Sequence, residues 1–171
     1  MLDIAVAYNR FKFLGFEFLT WLWFSIDGDT DKTRHPLNDF SIGNRIALEN
    51  RRDNKIEIIT IKGDDAGLEE GLLALQKGAL VTEINLIYVE DQNKWQFTLK
   101  GENLSINNIR HPDIGPYESS EDVDAFVFEK IHHYNKVVEI IDQTFKLFIA
   151  SRISGNWIAQ TVPQIKRWIK H

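Results

Sequence analysis

Hydrophobic residues crowd one short stretch of this chain. Leu14 to Phe24 holds two of the five tryptophans, three phenylalanines and a single charge, Glu17. Rings at that density anchor either a core or a contact surface. With no proline and one glycine, the stretch predicts a helix over Phe13–Ser25 that is apolar nearly all round and therefore buried. A strand pair could use the same residues. Phe16, Phe18, Trp21 and Trp23 are its candidate core or dimer contacts, with core the default reading.

Downstream the pattern changes period. Asp39–Glu49 and Lys55–Lys62 read as two strands around an Asn50–Asn54 turn, and Ile56, Ile58, Ile59 and Ile61 put β-branched residues on both faces, as in a covered central strand. Ala66–Lys77 predicts a short helix, with Leu68, Leu72, Leu73 and Leu75 on its apolar side and Gly78 as its stop. Leu80–Val89 and Trp95–Lys100 then form a hairpin, because Trp95, Phe97 and Leu99 alternate with Gln96, Thr98 and Lys100. Gly101–Ser119, with Pro112 and Pro116, reads as irregular.

The C-terminal part is helical. Val123, Val127, Ile131, Tyr134, Val138, Ile141, Phe145 and Phe148 follow one another at spacings of four and three. They predict one long helix, about 40 Å at 1.5 Å per residue, with Ser119 or Ser120 as N-cap. Such a helix either spans its domain or pairs with another copy. Gly155 breaks it, and Trp157–Ile169 predicts a last short helix restarted near Pro163. The element order gives an α+β fold. Its antiparallel sheet comes from two β-hairpins and packs with an N-terminal aromatic helix and a long C-terminal one. We expect one domain over residues 1–171, with helix and hairpins over 1–112 and a helical part over 113–171.

Composition narrows the chemistry. The 171 residues include no cysteine, which removes disulfides, thiolate catalysis and Cys-based zinc sites and suits a cytoplasmic setting. Phe11–Ile26 is short for a membrane span and carries Lys12 and Glu17, so no membrane association is expected. Asp27–Pro36 reads as an exposed loop; its aspartates lack the terminal Glu of an EF-hand loop, Asn38 standing there instead. His35, His111, His132, His133 and His171 show no shared metal spacing, so no metal or cofactor is expected. The tandem His132–His133 reads as solvent-facing. No nucleophile elbow or phosphate-cradling glycine loop occurs, and Glu69–Glu70 and Glu121–Asp122 sit at helix starts, where the helix dipole explains them. No enzyme is expected.

Charge is more telling in its layout than in its sum of -5. Asp113 to Glu129 carries six acids (Asp113, Glu118, Glu121, Asp122, Asp124, Glu129) and no Lys or Arg; Gln143 to His171 carries five bases and no acid. Candidate phosphate contacts are Arg45, Arg51 and Arg52, with Arg34 in the preceding loop, and the C-terminal Lys166, Arg167, Lys170 and His171, where Trp157 and Trp168 are interleaved as possible base-stacking rings. On the plainer reading those tryptophans are the apolar face of the terminal helix.

The run Gly15-Phe16-Glu17-Phe18-Leu19-Thr20-Trp21-Leu22-Trp23 resembles the Gly-Arg-Glu-Phe-Leu-Thr-Trp-Leu-Trp run of the recombination-associated RdgC family, with Phe16 in place of the arginine. The similarity extends through Arg45–Glu49, Leu73–Thr82, Ile84–Leu86 and Trp95–Leu99, the C-terminal half of that family. It implies a bacterial or phage DNA-binding protein without catalysis, self-associating as a homodimer and modulating recombination. Its sequence-nonspecific phosphate contacts, to duplex or single-stranded DNA, would come from Arg45, Arg51, Arg52, Lys77, Lys166, Arg167 and Lys170. The alternative is an acidic protein-interaction or inhibitor module, DNA-mimic-like, whose Asp113–Glu129 stretch meets a basic protein.

Overall fold

The computed structural model describes residues 11–28, 35–52, 55–63, 66–116 and 122–170. The aromatic stretch is helix α1 (Phe13–Asp27), followed by a 3-10 turn at Leu37–Asp39. Strands β1 (Phe40–Arg52) and β2 (Lys55–Lys62) precede helix α2 (Ala66–Gln76), which ends before Gly78 at φ +88°. Strands β3 (Leu80–Glu90), β4 (Asn93–Lys100) and β5 (Ile106–Arg110) complete an antiparallel sheet of order β2-β1-β3-β4-β5. The long helix α3 (Val123–Ile153), a single π-helical turn (Trp157–Thr161) and helix α4 (Val162–Lys170) close the described chain. The fold is α+β.

Helix α1 lies at the centre. Phe16, Phe18, Leu19, Trp21, Leu22, Trp23 and Phe24 are all buried. Those seven residues span every direction around a helix, so α1 must be walled on all sides. The inward residues of the sheet, among them Ile46, Leu48, Ile84, Leu86, Phe97 and Leu99, supply one wall. On the other side Phe18 meets Phe145 and Phe148 of α3 at ring-centroid distances of 5.1 and 5.4 Å, and Trp23 meets Trp168 of α4 edge-on at 5.3 Å. The one charge of the run, Glu17, accepts a hydrogen bond from Arg152 Nε at 2.6 Å. Phe16, Phe18, Trp21 and Trp23 are thus core residues.

Four expectations are corrected. β2 is an edge strand, not a covered central one: Ile56 and Ile58 are 62% and 69% exposed, and only Ile61 is buried. Strand β5 arises within the stretch read as irregular, pairing Ile106 with Leu99 and Arg110 with Gln96. Asp122, not a serine, occupies the N-cap of α3 and makes no side-chain capping bond; Ser119 and Ser120 lie outside the described residues. Within α2, Leu73 is 52% exposed although Leu75 is buried.

The helix and sheet approach so closely that one position admits no side chain. A Cβ built on Gly15 would lie 1.7 Å from the Gly101 carbonyl oxygen, which belongs to backbone and cannot step aside. Replacing Gly15 by alanine should therefore force α1 off the sheet and destabilise the protein by about 2–3 kcal/mol. Gly155 meets nothing within 4 Å, so Gly155→Ala should stay within about 0.5 kcal/mol of wild type. Urea unfolding of the two variants checks this, and equal midpoints would refute the close approach.

Candidate functional site

Cross-strand pairing decides the fate of the first basic group. Arg45 Nε lies 3.2 Å from Glu83 Oε1 on the neighbouring strand, and Arg51 pairs with Glu49 two residues away on β1. A phosphate arriving at either guanidinium meets a charge already countered by a carboxylate. Arg52 ends the same strand, while Arg34 lies outside the described residues.

The second group sits on the helical side of the molecule. Gln76 at the end of α2, next to Lys77, donates from Nε2 to the Ile169 carbonyl of α4 at 2.6 Å and so ties the two helices together. Lys166 and Arg167 follow one turn earlier on α4 and are exposed. Among the described residues, none of Lys166, Arg167 and Lys170 is paired to a carboxylate; Arg167 Nε reaches only the Pro163 carbonyl, at 3.4 Å. Cations in a last helical turn are favoured by the helix dipole, which accounts for their placement without any ligand. The seven candidate bases therefore form two separate sets, Arg45, Arg51 and Arg52 on β1 and Lys77, Lys166, Arg167 and Lys170 at the α2–α4 end.

Trp168 is not available for stacking. Trp168 is buried against Trp23 and Phe24, and its Nε1 donates to Asp27 Oδ2 at 3.0 Å. Trp157 is half-buried, edge-on to Phe148 at 5.8 Å. Trp168 thus follows the plainer reading, while Trp157, in the π-helical turn, lines a cleft.

Two features escaped sequence reasoning. On the sheet face away from α1, a polar cleft of about 350 Å³ is lined by Arg45, Asn85, Gln96, Thr98, Asn108 and Arg110, among others. Its floor is Asn85, buried with all its hydrogen-bonding capacity used. Asn85 Nδ2 donates to the Phe97 carbonyl and to Thr98 Oγ1, both at 3.1 Å, while Oδ1 accepts from Gln96 Nε2 at 2.7 Å and the Asn44 amide at 3.3 Å. An irregular register between Ile42 and Ile46 makes room, and Gly43 must lack a side chain because its Cβ would meet Asn85 Oδ1 at 2.0 Å. An asparagine amid strand hydrophobes was the available signal.

The second feature is the free half of α3. No residue from Val123 to His132 is buried. Val123, Val127, Ile131, Tyr134 and Val138, the first five residues of the periodic stripe, are between 38% and 55% exposed, and Phe128 is 70% exposed. Exposed Asp122, Asp124 and Glu129 lie along the same half, with Asp113 exposed before it. Glu118 and Glu121 fall outside the described residues. The buried residues of the helix are His133, Val137, Ile140, Ile141, Thr144 and Phe148, so of the stripe only Ile141 and Phe148 reach the core fully. Lys136 fastens it to the sheet, 2.8 Å from Glu90 Oε2, and Tyr88 donates to Glu90 Oε1 at 3.2 Å.

His133 is not solvent-facing. It is 8% exposed, its ring lies parallel to that of His111 with centroids 5.6 Å apart, and Trp95 and His132 flank it at 5.7 and 5.8 Å. His133 Nδ1 has no hydrogen-bond partner, whereas His111 Nδ1 contacts the Pro112 carbonyl at 2.7 Å. Burial, and then His111 and His132, hold the His133 pKa below its ordinary value of 6.5, with Glu129 opposing. Among the described residues no group of three or more His, Asp or Glu is placed to hold a metal ion.

A lowered folded-state pKa means that the unfolded chain binds the proton first. His133 thus contributes stability that is complete above pH 6.5 and is lost as pH falls from there through the folded pKa. The thermal midpoint should drop between about pH 7 and 5, and His133→Phe, which keeps the ring contacts, should flatten that drop. An unchanged pH slope in the variant would refute the assignment.

No helix among the described residues is long and apolar enough to cross a membrane. Compared with protein-family models and with curated proteins, the chain matches none.

Proposed function

We propose that this chain is a non-catalytic DNA-binding protein that holds phosphates at the α2–α4 end and associates with a second copy. The observation that carries the reading is the contrast between the two basic sets. Arg45 and Arg51 already have carboxylate partners, whereas Lys166, Arg167 and Lys170 have none among the described residues. Free ammonium and guanidinium groups release condensed counterions when they meet phosphate, and that release drives sequence-independent binding. The resemblance of Gly15–Trp23 to the RdgC run supports the same class. Contacts of this kind position a duplex or single strand without reading bases.

The free half of α3 favours a second reading, which shares the architecture but not the ligand. Val127, Phe128, Ile131 and Val138 form an apolar strip beside Asp122, Asp124 and Glu129. A strip of this composition suits a protein partner, either another copy or a basic protein taken up by an acidic inhibitor module.

Fluorescence anisotropy of labelled DNA against salt tests the first reading. The triple variant Lys166→Gln, Arg167→Gln, Lys170→Gln should weaken binding at low salt and reduce the logarithmic salt slope by about 0.9 per lost contact on duplex DNA. Arg45→Gln should leave both unchanged. A triple variant that binds like wild type refutes the assignment. Sedimentation tests self-association separately: Ile131→Asp should dissociate the dimer without altering the monomer's circular dichroism. A wild type that stays monomeric at high micromolar concentration removes the second copy and leaves the basic partner.

A further inference from the structure

A cleft of about 400 Å³ opens between the first turns of α1, the start of β3 and the Trp157–Lys170 segment. Its size falls within the range of about 300–1,000 Å³ usual for small-ligand sites. Phe13, Phe16, Leu80, Trp157 and Ile165 form much of the wall, and Phe13 and Leu80 are each 43% exposed where they border it. The π-helical turn at Trp157–Thr161 sets Trp157 into this wall; such turns recur where a helix is reshaped around a site.

The polar groups of the cleft are few, and most are already engaged. Thr20 donates its hydroxyl to the Phe16 carbonyl at 3.0 Å. Glu17 is held by Arg152 at 2.6 Å. That leaves the Lys166 ammonium, which among the described residues has no carboxylate partner. We propose that the cleft binds an amphipathic carboxylate, its alkyl or aryl body against the aromatic walls and its carboxylate on Lys166.

The chemistry excludes the neighbouring ligand classes. A neutral hydrocarbon would cover the apolar wall but make no use of the Lys166 ammonium. A cation would meet the one uncompensated charge with its own sign. A small hydrated anion would gain nothing from Phe13, Leu80 and Ile165. A carboxylate with an apolar tail satisfies both parts, because a charge-assisted hydrogen bond replaces the lost hydration.

Isothermal titration of the full chain with decanoate, below its micelle threshold, tests the inference, with decanol as the matched neutral probe and tryptophan fluorescence as a second readout. Decanoate should bind at one saturable site and decanol at least tenfold more weakly. Lys166→Gln should weaken decanoate by roughly tenfold or more, Lys166→Arg should retain it, and Leu80→Trp should block it by filling the cleft. Because Lys166 and Leu80 are exposed, circular dichroism should show both variants folded. Equal binding of decanol and decanoate, an unaffected Lys166→Gln variant, or no saturable binding would each overturn the proposal. The titration contains no DNA, so its outcome is separate from that of the phosphate reading.

Discussion

Complete burial of one short helix organises this protein. Between Gly15 and Ser25, α1 carries seven buried large side chains and only Glu17 as a charge, so no side of that stretch can face water without a large hydrophobic loss. A sheet alone covers about half of such a helix. The other half needs a second layer, which Phe145 and Phe148 of α3 and Trp168 of α4 provide across 127 to 145 residues of sequence. Close contact on the sheet side is possible because Gly15 and Gly101 meet backbone to backbone. The Glu17–Arg152 pair then satisfies the single charge at the rim, where it is partly exposed and contributes modestly.

This arrangement explains what remains uncovered. The helices that touch the sheet gather on the α1 side, so the opposite face shows Ile56, Ile58 and the polar cleft around Asn85. Only the second half of α3 is needed to wall α1. Its first half projects past the core, held at its base by Lys136 on Glu90 and by the His133 ring on Trp95. A helix whose first ten residues bury no side chain gains little from the monomer beyond its own hydrogen bonds. Its apolar strip is therefore a cost to the isolated chain that a partner would relieve.

The sequence made α1 legible because ring density without breakers leaves few alternatives, and β4 because Trp95, Phe97 and Leu99 alternate strictly. It misled at β2, since a run of isoleucines has the same β preference at an edge as in the middle. β5 was hidden by its brevity and by the asparagines Asn107 and Asn108, the second at φ +53°. The stripe on α3 was read correctly as periodic, yet periodicity identifies an apolar side and not what covers it. The candidate site was less legible still. Arg45 and Glu83 stand 38 positions apart and meet only because β1 pairs with β3, so their mutual neutralisation is a product of register. His133 differs from His132 only in which side of one helical turn it occupies.

Net charge gives a poor account of what such a surface binds. The chain is acidic overall, but its acids and bases are not mixed evenly: the free half of α3 is flanked by carboxylates, and α4 carries bases alone. Over a Debye length of about 8 Å at physiological salt, a phosphate near α4 senses Lys166, Arg167 and Lys170 along with Asp27 and Glu17, which are already engaged by Trp168 and Arg152. Arg45 and Arg51 on the sheet are poorer attractants, because each has its counter-charge within bonding distance. Polarity along the chain thus becomes polarity across the fold, with carboxylates along the free half of α3 and only bases on α4.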